Sequence, residues 1–131
     1  MPRRALTAVL ALGAVASLSA CGSQGISVAK NDPTYRGAQL FAERCSGCHT
    51  LDKVGAQGSA TKVRDRERVD GPNFNVRKEQ VSQILYAIRN GGFSGAIMPQ
   101  NIVVGKDAQA VAQFLAKYSG KHAKPAVSPN G

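Results

Sequence analysis

The sequence predicts a small all-α domain with three main helices, on the basis of three observations. Asp32-Pro33 joins an N-cap residue to a first-turn proline, which is typical of a helix start. Apolar side chains recur at helical spacing in two later segments. No alternating strand pattern or internal repeat is visible in the sequence. Residues 33–119 are therefore expected to form one helical domain.

The first helix is expected to run from about Pro33 to Arg44. Gly37 has no side chain and could let this helix approach the last one closely. Phe41 is expected to pack against Phe114 of that last helix.

The second and third helices are predicted from apolar positions spaced i, i+3, i+4 and i+7. Asn90-Gly91 is the stop signal of the second helix, and Gly120 follows the third. The two stripes are expected to face the core. They consist of Val81, Ile84, Leu85 and Ile88 in the second helix and of Val111, Phe114, Leu115 and Tyr118 in the third.

The most specific motif, Cys45-Ser46-Gly47-Cys48-His49, follows the first helix. Its two thiols lie three positions apart on one face of a helical turn, where both can add to the vinyl groups of a porphyrin. The adjoining histidine then stands under the iron. The motif therefore predicts one covalently attached haem.

The alternatives for this motif are a disulfide, half of a zinc site and a thioredoxin-like redox pair. A zinc site needs four ligands, and only Cys21 and His122, each near one chain end, remain as candidates. A redox pair requires a βαβ setting, which the sequence lacks.

Met98 is the predicted sixth ligand of the haem iron. The chain has two methionines, and Met1 belongs to a segment that is expected to be removed. Met98 ends a glycine-rich run, residues 91–98, that cannot be regular helix, and Pro99 favours an extended backbone before it. Such a strap could carry a thioether across a planar cofactor. The alternatives are a core-filling Met98, or ligation by His122, which stands in a basic, proline-bearing tail.

The sequence also contains Gly71-Pro72-Asn73-Phe74 between the haem motif and the second helix. Taken with the haem motif, Met98-Pro99 and the first and last helices, this run resembles the class I monohaem cytochrome c family over about residues 33–119. The resemblance implies the cytochrome c fold around one covalent haem, with iron held by His49 and Met98. It also implies that the carbonyl of Pro72 accepts the N–H of His49, which would fix the ring orientation; an ordinary Gly-Pro turn is the alternative. The resemblance is carried by Gly37 and Phe41, the haem motif, Gly71-Pro72-Asn73-Phe74, Met98-Pro99, Phe114 and Tyr118.

One segment departs from the most compact family members. The connection between His49 and Pro72 is longer than theirs and contains a mixed-charge stretch, residues 62–68. A solvated surface loop is the favoured interpretation of that stretch. The alternatives are that it shields the haem edge or contacts a partner.

The N-terminus is predicted to be a targeting signal and not part of the folded domain. Residues 1–20 have a basic start and an apolar stretch that is too short for a confident membrane span. Leu18-Ser19-Ala20-Cys21 resembles a bacterial lipoprotein box, which implies cleavage before Cys21 and lipid on that residue. An ordinary secretory peptide cut nearby is the alternative. Residues 21–32 are expected to be a flexible linker after the lipidated cysteine.

Charge gives an expectation about partners. The sequence has 17 basic and 8 acidic side chains, a formal net charge of +9, and the predicted signal peptide removes only two of the basic ones. A basic domain is steered toward acidic surfaces, here the docking faces of redox proteins or anionic lipid headgroups. Nucleic acid is not expected, because the predicted signal peptide implies export and the aromatic residues do not interleave with basic ones. Residues 120–131 are expected to be a disordered basic tail.

The predicted ligands lead to an expected function. A haem held by His49 and Met98 has no open coordination site. The chain is therefore expected to be an electron carrier, with no catalytic residues and no small-molecule substrate. It would be lipid-anchored on the periplasmic face of the cytoplasmic membrane, passing single electrons between respiratory complexes. One alternative is the haem subunit of a membrane dehydrogenase or oxidase complex; another is a gas sensor, which would require a displaceable Met98.

Overall fold

The computed structural model describes residues 25–60, 62–93, 95 and 97–122. Three α-helices dominate the described part, which confirms the all-α prediction. Two short strands, β1 (Thr50–Leu51) and β2 (Ala56–Gln57), pair antiparallel, with Thr50 opposite Gln57. Among the described residues, every helix falls short of the length and hydrophobicity that a bilayer span requires. The elements are α1 (Tyr35–Arg44), β1 (Thr50–Leu51), a 3₁₀ turn (Asp52–Val54), β2 (Ala56–Gln57), a second 3₁₀ turn (Val63–Asp65), α2 (Val81–Asn90) and α3 (Gly105–Tyr118).

Helix α1 begins two residues later than the sequence predicts. The Asp32 carboxylate accepts hydrogen bonds from the backbone N–H of Thr34 at 2.8 Å and from its hydroxyl at 2.7 Å. The Asp32 carbonyl accepts the N–H of Tyr35 at 2.9 Å. Asp32 and Pro33 therefore form a turn that leads into the helix instead of its first turn.

Helix α2 ends where predicted, and its start is closed by a capping box. The side chain of Gln80 and that of Gln83 each accept from the other residue's backbone N–H. At the other end Gly91 has φ +70°, a left-handed conformation that a glycine adopts without steric cost. Ile84 and Ile88 are buried, so the predicted apolar stripe faces the core.

The packing of α1 against α3 confirms the role predicted for Gly37. A Cβ on Gly37 would meet the carbonyl oxygen of Ala110 and lie 2.6 Å from the Phe114 Cβ. The rings of Phe41 and Phe114 have centroids 5.9 Å apart, as expected for this helix pair. Both rings are almost completely buried, so this crossing is the centre of the core.

Packing contacts extend beyond both ends of the predicted domain, residues 33–119. Before it, Val28 is buried, Ile26 packs against the core, and the N–H of Ser27 donates to the Lys53 carbonyl at 2.9 Å. After it, the N–H of His122 donates to the Asn75 carbonyl at 2.8 Å. Ile26 and Val28 stand among polar residues, so the composition of this segment gave no sign of the packing. Residues 1–24 and 123–131, including the predicted signal peptide, Cys21 and most of the tail, lie outside the described residues.

Candidate functional site

An apolar-lined cavity opens between the three helices and the loops that join them. All five residues predicted to hold the haem line it: Cys45, Cys48, His49, Pro72 and Met98. They arrive from three segments, namely the turn after α1, the loop before α2 and the strap between α2 and α3. The chain therefore brings two thiols, an imidazole and a thioether to one cavity.

The imidazole of His49 is buried and fixed on several sides. Its Nδ1 atom lies 3.1 Å from the carbonyl oxygen of Pro72, the contact that the family resemblance implies. The ring stacks on Phe74, with centroids 4.7 Å apart and planes inclined by 18°. A Cβ on Gly71 would collide with the imidazole atoms, so only glycine fits at that position without displacing the ring.

These contacts also select the protonation state of His49. A carbonyl oxygen only accepts, so Nδ1 carries the proton and the lone pair is left on Nε2. Burial lowers the pKa of His49; the bond to Pro72 opposes that shift, and the charge of Arg77 adds to it. The ring is thus kept neutral, which is the form that binds a metal.

The two cysteines of the motif lie on a turn that continues α1. The N–H of Cys48 donates to the Cys45 carbonyl at 3.2 Å, and the N–H of His49 donates to the same carbonyl at 3.0 Å. Both thiols are free, with Cys45 partly buried and Cys48 exposed. Burial, and secondarily the charge of Cys48, raises the pKa of the Cys45 thiol to about 12.

The zinc-site alternative needs Cys21, which lies outside the described residues. No group of three or more His, Cys, Asp or Glu side chains among the described residues is arranged to hold a metal ion. His122, the rival iron ligand, does not line the cavity. Its Nδ1 atom instead lies 3.7 Å from the Asp52 carboxylate.

Met98 reaches the cavity on a strap that begins at a left-handed glycine. A Cβ on Gly91 would lie 2.6 Å from the Met98 carbonyl oxygen, so the strap folds closely over the end of α2. The N–H of Asn101 donates to the Ile88 carbonyl at 2.7 Å and fixes the far end of the strap. The Met98 side chain is half-buried and packs against the core.

Several residues of the cavity were not singled out from the sequence. Phe74 and Gly71 belong to a motif of the sequence, but their contacts with the His49 ring are visible only in the folded structure. The charged loop was expected to be solvated; its charged side chains are exposed, yet Arg66 and Arg68 also line the cavity. Helical spacing gives no signal for either set of residues, because both lie in irregular loops.

The residues present fit a covalently bound haem. An apolar cavity suits a flat macrocycle, two free thiols suit its vinyl groups, and imidazole and thioether donors suit its iron. The close approach of Gly71 to the imidazole is a constraint that a solvated surface histidine would not need.

Residues 35–119 match the family model described as cytochrome c. Among solved structures, the c-type cytochrome SorU from Sinorhizobium meliloti is similar to this chain. It is 27% identical over 70% of this chain and 95% of that chain, with a TM-score of 0.49. No curated protein matches the sequence.

Proposed function

Because this chain belongs to the cytochrome c family, we propose that it is a membrane-tethered carrier of single electrons between respiratory proteins. Family membership gives a covalently bound haem c with its iron, and electron transfer as the role. When bound, the haem supplies a one-electron change of its iron. The lipid anchor, the residues that bind the iron and the redox partners are what we propose beyond family membership.

The proposed ligand set follows from the cavity. Cys45 and Cys48 would hold the haem through thioether bonds, and His49 Nε2 and the Met98 sulfur would bind its iron. Pro72 and Gly71 orient the imidazole, and Phe74 packs on its face. With imidazole and thioether both on the iron, no coordination position is left for a substrate. The arrangement therefore suits electron transfer and not catalysis.

A single observation carries this proposal: the five predicted haem residues converge on one cavity, with His49 Nδ1 held by Pro72. Carbon monoxide binding to the reduced holoprotein tests it. We expect no binding in the wild type and in His122→Ala, and ready binding in Met98→Ala, because only the last change would vacate a ligand position. Ready binding by the wild type would replace the electron carrier with the gas-sensing alternative.

The tether is proposed from Leu18-Ser19-Ala20-Cys21, the lipoprotein-like box. A diacylglyceryl group with a further acyl chain supplies the two or more chains that stable anchoring needs. Ile26 already packs against the core. The chain between Cys21 and Ile26 could therefore span only about 18 Å when fully extended. The haem domain would thus work close to the outer face of the cytoplasmic membrane.

Membrane fractionation tests the tether. Cys21→Ser is expected to move the protein from the membrane to the soluble fraction, while Ser23→Ala, two residues away, is expected to leave it membrane-bound. If Cys21→Ser stays with salt-washed membranes, the lipid anchor is wrong.

A further inference from the structure

Glu79 is a buried carboxylate in the wall of the haem cavity. It lines the cavity and is 5% exposed, and no other Asp or Glu among the described residues is buried. Asp70, the other acidic residue of the cavity wall, is partly exposed. Taking a carboxylate out of water is costly, so a buried one is expected to have a specific partner.

The partner of the Glu79 carboxylate is the guanidinium of Arg77. The Nε atom of Arg77 lies 2.5 Å from Oε1 of Glu79, and Arg77 also lines the cavity. The backbone N–H of Glu79 donates to the hydroxyl oxygen of Ser119 at 3.0 Å. Ser119 follows the last residue of α3 and is itself buried. The backbone of Glu79 is thus anchored to α3, and its side chain is held by the arginine.

The two charges of this pair differ in their contact with water. The side chain of Glu79 is 6% exposed, whereas that of Arg77 is 51% exposed. Water and dissolved ions screen an exposed charge far more than a buried one. The field of the pair inside the cavity is therefore expected to be that of a net negative charge.

The pair lies within electrostatic reach of the haem site. The charge of Arg77 contributes to the lowered pKa of His49, which lines the same cavity. A ferric iron carries one more positive charge than a ferrous iron, so a negative charge in the cavity wall favours the oxidised form. The polarity and solvent exposure of a metal site are among the features that set its reduction potential.

We infer that Glu79 determines the reduction potential of the haem: its buried carboxylate stabilises the ferric state, while Arg77 orients that carboxylate and partly offsets its charge. The inference rests on the proposed function, because it requires a haem iron held by His49 and Met98 in this cavity. Stability alone does not account for the pair, since a buried ion pair is often no more stabilising than apolar residues of the same volume.

Potentiometric titration of the haem-loaded, full-length protein tests the inference. Glu79→Gln removes the charge but keeps the size of the side chain and an oxygen that can accept from Arg77. Because a buried charge is only partly screened, we expect the equilibrium constant for reduction to rise by about threefold to tenfold. This rise corresponds to roughly 28–59 mV, at about 59 mV for each tenfold change. An unchanged or lower potential would overturn the inference.

The conservative variant Glu79→Asp separates charge from shape. It retains the carboxylate, so its potential is expected to stay closer to that of the parent than to that of Glu79→Gln. A potential as high as that of Glu79→Gln would mean that the shape of the side chain, not its charge, matters, and the inference would be wrong.

Arg77→Gln provides a test of opposite sign, which remains available if Glu79→Gln does not fold. Losing the guanidinium leaves the carboxylate without its offset, so the potential is expected to fall; a rise or no change would contradict the inference. The double variant Glu79→Gln, Arg77→Gln is expected to lie above the parent and below Glu79→Gln, because the buried charge outweighs the exposed one. A double variant below the parent would assign control of the potential to the arginine, for instance through a haem propionate, and would overturn the inference.

The matched control is the exposed ion pair of Asp107 and Arg36, which does not line the cavity. Asp107→Asn also removes one carboxylate charge beside an arginine. It is expected to leave the equilibrium constant for reduction within about 1.5-fold of the parent, because solvent and salt screen this pair. A rise equal to that of Glu79→Gln would assign the effect to net charge and defeat the inference.

Two further readouts complete the experiment. The weak far-red absorption of ferric haem bound by methionine should persist in Glu79→Gln; a shifted potential together with loss of that absorption would indicate a change of ligand and would contradict the inference. A parent protein that shows no one-electron haem titration would overturn the proposed function itself. A normal titration of the parent with an unchanged potential in Glu79→Gln would overturn only the role of Glu79.

Discussion

The Nδ1 atom of His49 lies 3.1 Å from the carbonyl oxygen of Pro72, and this contact fixes how the imidazole enters the cavity. The acceptor is a backbone atom, so it is present whatever side chain stands at that position. Gly71 also constrains the imidazole, because only a residue without a side chain leaves room for the ring at that position.

Gly71→Ala is predicted to disturb both stability and redox chemistry. The new Cβ would collide with the imidazole of His49, so the ring or the loop must move. We expect the free energy of unfolding of the holoprotein to fall by about 1–3 kcal/mol and its reduction potential to change. Denaturant unfolding and potentiometry measure the two effects. Gly47→Ala is the control, because a Cβ there meets no atom within 4 Å; equal behaviour of the two variants would contradict the account.

Gly37→Ala is predicted to lower stability without changing the potential. Its Cβ would meet the Ala110 carbonyl and Phe114, at the crossing of α1 and α3. Overpacking of this kind costs about 1–3 kcal/mol, and the clash with backbone places the expected loss toward the upper end. The measurement is the urea midpoint of the holoprotein, with Gly25→Ala as a control in open space. A stable Gly37→Ala protein would mean that the helices approach less closely.

Asp32 is predicted to make stability depend on acid pH. Hydrogen bonds from Lys117, chiefly, and from Thr34 and Tyr118 hold the pKa of this carboxyl well below its usual range, although desolvation opposes the shift. A carboxyl with a depressed folded-state pKa stabilises the fold above its unfolded pKa of about 3.9. That contribution is lost as the pH falls toward the folded-state pKa.

The test compares Asp32→Asn with the parent protein across this range. The variant is expected to be less stable at pH 7, and the difference in urea midpoint should shrink as the pH falls from about 5 to about 2. Asp107→Asn removes an exposed ion pair with Arg36 and should change stability by about 0–1 kcal/mol. A difference between parent and Asp32→Asn that stays constant with pH would contradict the assignment.

The haem-free chain is predicted to be largely unfolded. The domain is small, has no tryptophan and leaves a large apolar cavity between its helices without the cofactor. Circular dichroism of the Cys45→Ala, Cys48→Ala double variant should show little helix and no cooperative melt. Ser46→Ala, which keeps both thiols, should fold as the parent does. A cooperative, native-like melt of the double variant would show that the polypeptide is stable alone.

Sequence reasoning reached the fold class because its signals are local. The periodic stripe of Ile84 and Ile88 indicates a helix regardless of what packs on it, and Asn90-Gly91 ends that helix. The candidate haem ligands were also chosen from the sequence alone, because Cys45 and Cys48 have the spacing of a haem motif and the chain has only two methionines. Their assignment stays a prediction; the structure places all of them at one cavity.

The remaining features depend on contacts between distant segments. Val28 is buried because it meets the core, although its neighbours in sequence read as a linker. The stacking of Phe74 on His49 needs the loop before α2 to return to the haem motif. Arg66 and Arg68 lie in a loop that was predicted from its charges to be solvent-exposed, and only the fold places that loop at the cavity. Local composition does not indicate which distant segments of the chain come into contact.

The absorption spectrum of the oxidised holoprotein is the most direct test of the central claim, that His49 and Met98 hold one haem iron between them. A ferric haem bound by methionine has a weak far-red band. We expect this band in the wild type and in His122→Ala, and its loss in Met98→Ala with the haem still attached. A band that persists in Met98→Ala, or one that is missing from the wild type, would contradict the account.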